Sequence, residues 1–460
     1  MKFAILIIFA LLIGSAGAIR LNQVTPSDYD VLNHTIENIT INNATLTNAT
    51  IVGLETVTDS DQINWTPGIG AKLTNVTNGT AAQDAVTYSQ LVASSSGNVP
   101  YQVHDYYIYN GSAIVVKNSA NATIYSGSSL AAGITAICAA TGVGPAKVEL
   151  GKGNFTIDSM LHFVNKSHIR FVGQGIGVTT LAAKTNLNTH LVVFDGCNNI
   201  TVEQFSINGK KANQAVNTSC NIIFNYTRNF VAHDIESYNA NTKGIGITGS
   251  WYGEVYSCTF HDNYQEAVAC ASLKDVGSTH YRTSYINVHD CTGYRLGTYG
   301  FSSVTAAADG TYPENHHINF DHLTVYDVRE TPAGGGVGIM IIGFENSVTN
   351  CNIYDPLGVI RYGIYCGISN NINRVLHDSR IQGNSISLLT SPLNTTGIYM
   401  ASGYQNIVSG NRVHHAVQGY TEVDDLGNAG NLVDSNDFTW CTYGVRKVVT
   451  GTTQGTNKKD

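Results

Sequence analysis

The stretch GIYCGISNNINRVLHDSRIQGN, from Gly363 to Asn384, is echoed from Gly397 to Ala416 as GIYMASGYQNIVSGNRVHHA. Both begin Gly-Ile-Tyr, pass through small polar residues and close on an apolar residue among polar neighbours. A repeat this loose marks a backbone shape that recurs while its side chains vary. Each segment can be aligned on an apolar residue five places after another strand residue, as in Ile200 to Phe205. The anchors are then Phe205, Ile235, Phe260, Val288, Leu323, Ile353, Ile381, Val413 and Phe438, at intervals of about 25 to 35 residues. A second set of strands starts at Gly244, Gly300, Gly338, Gly363 and Gly397. Short strands at that period stack as coils roughly 4.8 Å apart, each burying its inward residues on its neighbours.

Composition agrees with many short strands and turns. Of 460 residues only 13% are charged, and Gly is abundant at 46. The formal net charge of -8, with no basic stripe, argues against nucleic acid as the partner. Nine cysteines leave at least one without an intramolecular mate. They show no Cys-x-x-Cys pair and no metal-ligand spacing, so buried free thiols are expected, with one or two disulfides as the alternative.

The first 18 residues, MKFAILIIFALLIGSAGA, carry one Lys, an apolar run and a small-residue cleavage pattern. They read as a signal peptide of a secreted or cell-surface protein that does not span a membrane. Asn-x-Ser/Thr sequons run from Asn33 to Asn225, and beyond that only Asn394 is found, which implies a glycosylated first half if the sites are used. Residues 19–100 form an Asn/Thr-rich β-stalk. There Ile36, Ile41, Leu46 and Ile51 recur every five residues, in a pentapeptide-like coil or a β-stalk packed between chains. The segment from Gly70 to Ser94, GAKLTNVTNGTAAQDAVTYSQLVAS, resembles phage tail-fibre shafts, and that resemblance implies a homotrimer. Residues 101–127 read as a hairpin connector. After them Leu130, Ile134, Ile137 and Cys138 share a helical face, with Ser128 or Ser129 as N-cap and Gly142 as a stop. Such a helix suits an end cap that shields an open sheet edge. The coils run over 128–446, and 447–460 is a tail.

From Ala146 to Leu181, AKVELGKGNFTIDSMLHFVNKSHIRFVGQGIGVTTL, and on through NITVEQFSINGK (Asn199 to Lys210), the chain resembles the opening of pectate-lyase-like proteins. The resemblance implies an all-β fold, a right-handed parallel β-helix. It says little of activity, because that fold carries lyases, hydrolases, epimerases, tailspikes and inert scaffolds.

If every anchor points inward, its neighbours point out. One face is then expected to present His261, His289, His322, Tyr354, Arg380, Arg412 and His414. Such a stripe suits an acidic polysaccharide, since Arg grips uronate carboxylates and His or Tyr moves protons in a β-elimination. The expected roles are His322 or His289 as base, Tyr354 as acid and Arg380 as neutraliser. Asp234, Glu236, His261, Arg412 and His414 are the expected substrate contacts. Hydrolysis would need paired carboxylates; Asp234 and Glu236 on one strand face, or Asp309, Glu314, Asp327 and Glu330 near the longest coil, are the candidates. Asp262, Asp290 and Asp355 read as turn residues. No metal set is recognisable, and calcium is the one cofactor kept in view. The alternative from another class is a non-catalytic, glycosylated surface or fibre protein.

Overall fold

The structure is a computed structural model. It describes residues 105–459 except for 216–218, 277–278, 306–313, 330–334, 369–374, 390–393, 424–427, 447–448 and 450, together with Thr50–Val52 and Lys72–Thr74. The signal peptide and nearly all of the stalk lie outside the described residues, as do Asp309 and Glu330. Two compact units divide near residue 102. In the first, Thr50–Val52 pairs in parallel with Lys72–Thr74.

The second unit begins with a meander, Tyr106–Asn110, Ile114–Asn118 and Thr123–Gly127, paired antiparallel. Tyr106–Asn110 then joins Ala146–Leu150 in parallel, so the meander extends the coils. Between them lies α1, Leu130–Thr141, whose N-cap Ser129 accepts a hydrogen bond from the Ala132 N–H at 3.1 Å. Leu130, Ile134 and Ile137 are buried and Cys138 packs against the same cluster. Gly142 ends the helix at a φ of 59°.

From there the chain winds as a right-handed parallel β-helix with three faces. The first face includes Ser167–Val172, Trp251–Tyr256, Ser284–His289 and His316–Asp321. The second includes Thr259–His261, Thr292–Leu296, Thr324–Val328 and Asn352–Asp355. A third face is a separate sheet running from Leu161–Val164 to Tyr443–Val445. The first two faces meet at a corner turned by a single left-handed residue: Gln204, Asp234, Ser257, Asp290, His322, Asn350, Gly383, Gly410 and Ser435. One such residue redirects the strand without breaking the ladder, and Asn, Asp and Gly adopt that conformation most cheaply.

Inside, Phe163, Phe194, Phe224 and Phe230 stack with centroids 4.9, 5.3 and 4.2 Å apart. Just past the corner, the buried amides of Asn384, Asn411 and Asn436 donate each to the next, the last to the half-buried Asn457, at 2.9, 2.9 and 3.0 Å. All nine cysteines are free, eight of them buried. Among the described residues no helix is long and apolar enough to cross a membrane.

Candidate functional site

All nine anchors are buried, but they stand in three inward columns. Phe205, Ile235 and Leu323 directly follow the corner. Phe260, Ile353, Val413 and Phe438 lie two residues further on, and Val288 and Ile381 belong to the first face. The expected single stripe therefore divides. His289 and Arg380 point out from the first face in different columns, while Asp234 and His322 are corner residues. Glu236 and Arg412 share one outward column of the second face; His261, Tyr354 and His414 share another. Both faces bury apolar residues at period two, so a five-residue spacing fits either and cannot tell the columns apart.

Four histidines are clasped by carboxylates, among them His377, between Asp378 at 2.8 Å and Glu314 at 3.3 Å. His233 meets Asp234 through Nδ1 at 2.8 Å and Glu203 through Nε2 at 3.2 Å. For His261 the partners are Asp262 at 2.7 Å and Glu236 at 3.5 Å; for His289 they are Asp290 at 2.7 Å and Glu254 at 3.0 Å. Burial alone would lower the His289 pKa, but hydrogen bonds to Asp290 and Glu254, and their charges, outweigh it and raise it. Neither nitrogen of His289 is open to act as a base. Asp262 is held down to about 2, chiefly by the two-pronged hydrogen bond from Arg295. Asp262 and Asp290 are left-handed turn residues, and Asp355, which is buried, accepts the Ile360 N–H at 2.8 Å across the turn that follows it.

His322 differs. Its side chain is 58% exposed, and only Nδ1 is engaged, by Asp321 at 2.7 Å. The other oxygen of Asp321 accepts from Thr349 Oγ1 at 2.6 Å and Asn350 Nδ2 at 3.1 Å. Burial would raise the Asp321 pKa, yet the hydrogen bonds from Thr349, His322 and Asn350 prevail and lower it. A fixed carboxylate holds the Nδ1–H tautomer, so Nε2 faces solvent as an acceptor.

Along the second face a lane of short side chains, Thr259, Thr292, Thr324, Asn352 and Ser385, runs parallel to the axis. The corner residues, His322 among them, flank one side. Tyr238, His261, Tyr294, Tyr326 and Tyr354 flank the other, stacked at 5.0, 5.0, 5.0 and 4.8 Å. Their faces cover one another, so edges and hydroxyls are what they present outward. Burial, then the neighbouring Tyr354 and Tyr294, raise the Tyr326 pKa and keep its proton on. His322 and Tyr326 are four residues apart, roughly 13 Å of strand, which leaves room for a ring between the two side chains.

The remaining expected residues are placed elsewhere. Arg380, on the first face, cannot neutralise a group in the lane. Arg412 ends the floor column, 3.6 Å from Asp437. His414 packs on Trp440 at 5.3 Å, with its pKa lowered by burial and its Nε2 without a hydrogen-bond partner. Asp234 and Glu236 do not form a catalytic pair: the left-handed corner aims Asp234 at His233, while Glu236 accepts from Ser206 at 2.7 Å. Glu314 meets His377 at 3.3 Å and Asp327 pairs with Arg329 at 2.7 Å, so these acids do not converge either. Asp321, Tyr294, Tyr326 and Arg295 went unread in the sequence. The dipeptide His-Asp at 233, 261, 289 and 377 was the available signal for the clasps.

No family model matches the sequence, and no curated protein is similar to it in sequence. Among solved structures, the A-modules of two mannuronan C-5 epimerases from Azotobacter vinelandii are similar in fold. One has a TM-score of 0.54 with 14% identity over 72% of this chain and 96% of its own. The other has 0.51 with 14% identity over 71% and 96%. The likeness is one of fold. At that identity it transfers no residue from those enzymes to this β-helix. Among the described residues no three His, Cys, Asp or Glu side chains are grouped to hold a metal ion.

Proposed function

We propose that this β-helix is a secreted protein that binds a polysaccharide along the lane and modifies it by proton transfer. The observation that carries the reading is His322, oriented by Asp321 with no partner on Nε2, at the corner that borders one side of the short-residue floor while the tyrosine column borders the other. The structural neighbours, which act on mannuronan by their names, support a polysaccharide substrate. For an acidic glycan the chemistry is β-elimination. His322 takes the C5 proton, the C5–H electrons form the C4–C5 double bond, and the C4–O bond breaks. The leaving oxygen takes its proton from Tyr354 or Tyr326. Neutralising the uronate carboxylate falls to added calcium rather than to Arg380, because Arg295, over Tyr294 at 4.7 Å, is already paired with Asp262.

The mature protein would be incubated with a panel of acidic and neutral polysaccharides, with and without calcium. Ultraviolet absorbance of the unsaturated uronate and new reducing ends would both be followed. Absorbance lost roughly a hundredfold or more in His322→Ala and in Tyr354→Phe supports elimination here. Reducing ends without absorbance would make it a hydrolase. A second reading, a rigid non-catalytic rod, is favoured by the mutual stacking of the rings, which strengthens the coil stack whether or not a glycan is present. Binding without any product would select it.

A further inference from the structure

The outer side of the third face carries a feature that the lane does not use. Gly246, Ala269 and Ala271 are consecutive outward positions with almost no side chain, and they floor a depression of about 330 Å³. On one side rises an apolar ridge of Val193, Cys220 and Ile223; on the other stands a cluster around Met340 with Tyr299 and Val304. Lys243, His190 and Cys220 reach the depression from one rim. His190 accepts the Cys220 N–H through Nδ1 at 3.0 Å, and its pKa is lowered by burial and then by Lys243, so it stands neutral.

Glu266 follows Gln265, another rim residue, and its register partner in the previous coil is Lys243. It is 5% exposed, and its Oε2 has no hydrogen-bond partner. The buried Nδ2 of Asn241, two residues before Lys243, has none either. Burial raises the Glu266 pKa against the pull of Lys243. Among the described residues Lys243 forms no ion pair within 4 Å. Lys243, with no ion pair, therefore stands at the rim beside the polar side chains of Thr242, Thr248 and Gln265, above a flat floor.

We infer that this depression is a second binding site, separate from the lane, for a single uronate residue whose carboxylate pairs with Lys243 and whose ring lies on the Gly246–Ala269–Ala271 floor. The volume is at the small end for ligand pockets, which fits one sugar and not a chain. The lining of the depression includes Lys243 and no carboxylate, so an anion is favoured there.

The test is a titration of the full-length mature protein with galacturonate, with galactose and with inorganic phosphate, followed by calorimetry and by ligand-observed NMR. Galacturonate is expected to bind, galactose at least tenfold more weakly. Lys243→Met is expected to weaken galacturonate at least tenfold and Lys243→Arg to retain most of it. Ala271→Leu, which fills the floor from another strand, should abolish it. Thermal melts of each variant separate lost binding from lost folding. Equal binding of galactose, or wild-type affinity in both Lys243→Met and Ala271→Leu, overturns the site. Phosphate competing as well as galacturonate overturns the uronate assignment. His322→Ala should leave this binding unchanged, so failure of the lane's chemistry and failure of this site are read separately.

Discussion

At the residue scale the histidines fall into two kinds, and carboxylate partners decide which. His233, His261, His289 and His377 have both nitrogens occupied, whereas His322 has only one. Asp321→Ala would release the His322 ring while leaving its imidazole in place. In the elimination reading it is expected to lower kcat by about tenfold to a hundredfold with little change in KM, and to alter the pH–rate profile. His289 makes a separate, structural prediction. Its folded pKa is raised, so its contribution is complete below the ordinary value near 6.5 and fades as pH rises through the folded value. Asp262 runs the other way, being lowered to about 2: its contribution is present above about 4 and is lost as pH falls toward 2. Since Arg295 is half exposed, Asp262→Asn should cost no more than about 1 kcal/mol at neutral pH. Urea titrations at several pH values would show the loss vanishing in acid.

At the scale of the element, the column of stacked side chains is the unit that repeats. The Asn384–Asn411–Asn436–Asn457 ladder satisfies turn groups in successive coils: Asn411 accepts from the backbone and side chain of Asn384 and donates to the Ile381 carbonyl at 2.9 Å. Asn411→Ala strands donors on one side and an acceptor on the other, and is expected to cost about 2–4 kcal/mol by urea unfolding. A change at the half-buried outward residue Ser387, to Ala, should cost less than about 0.5 kcal/mol. The sequence reading found the anchors because their spacing was regular. It could not sort the anchors into columns, because a left-handed corner joins two strands with no change in composition. Asp234 and Glu236, two apart in the chain, look like neighbours on one face until the corner turns them away from each other.

For the whole β-helix, the lane's direction makes a prediction that no single residue makes. Five coils contribute its floor, from Thr259 to Ser385, so affinity for oligosaccharides should climb with length and level off once the chain outruns those coils. Calorimetry with size-graded oligosaccharides checks this; length-independent affinity would argue against an axial lane. The sequence by itself determined the stacked coils, α1 with a serine cap, and the burial of all nine anchors. Those features are local or periodic: an apolar residue at a regular interval must be buried wherever its coil lies. Only the tertiary structure decided that His322 is open and His289 closed, that Arg380 leaves the lane, and that Gly246, Ala269 and Ala271 align beside Lys243. Each of these depends on which residue of one coil stands over which residue of the next. That register is set by corners and loops of unequal length, and no periodicity along a single chain records it.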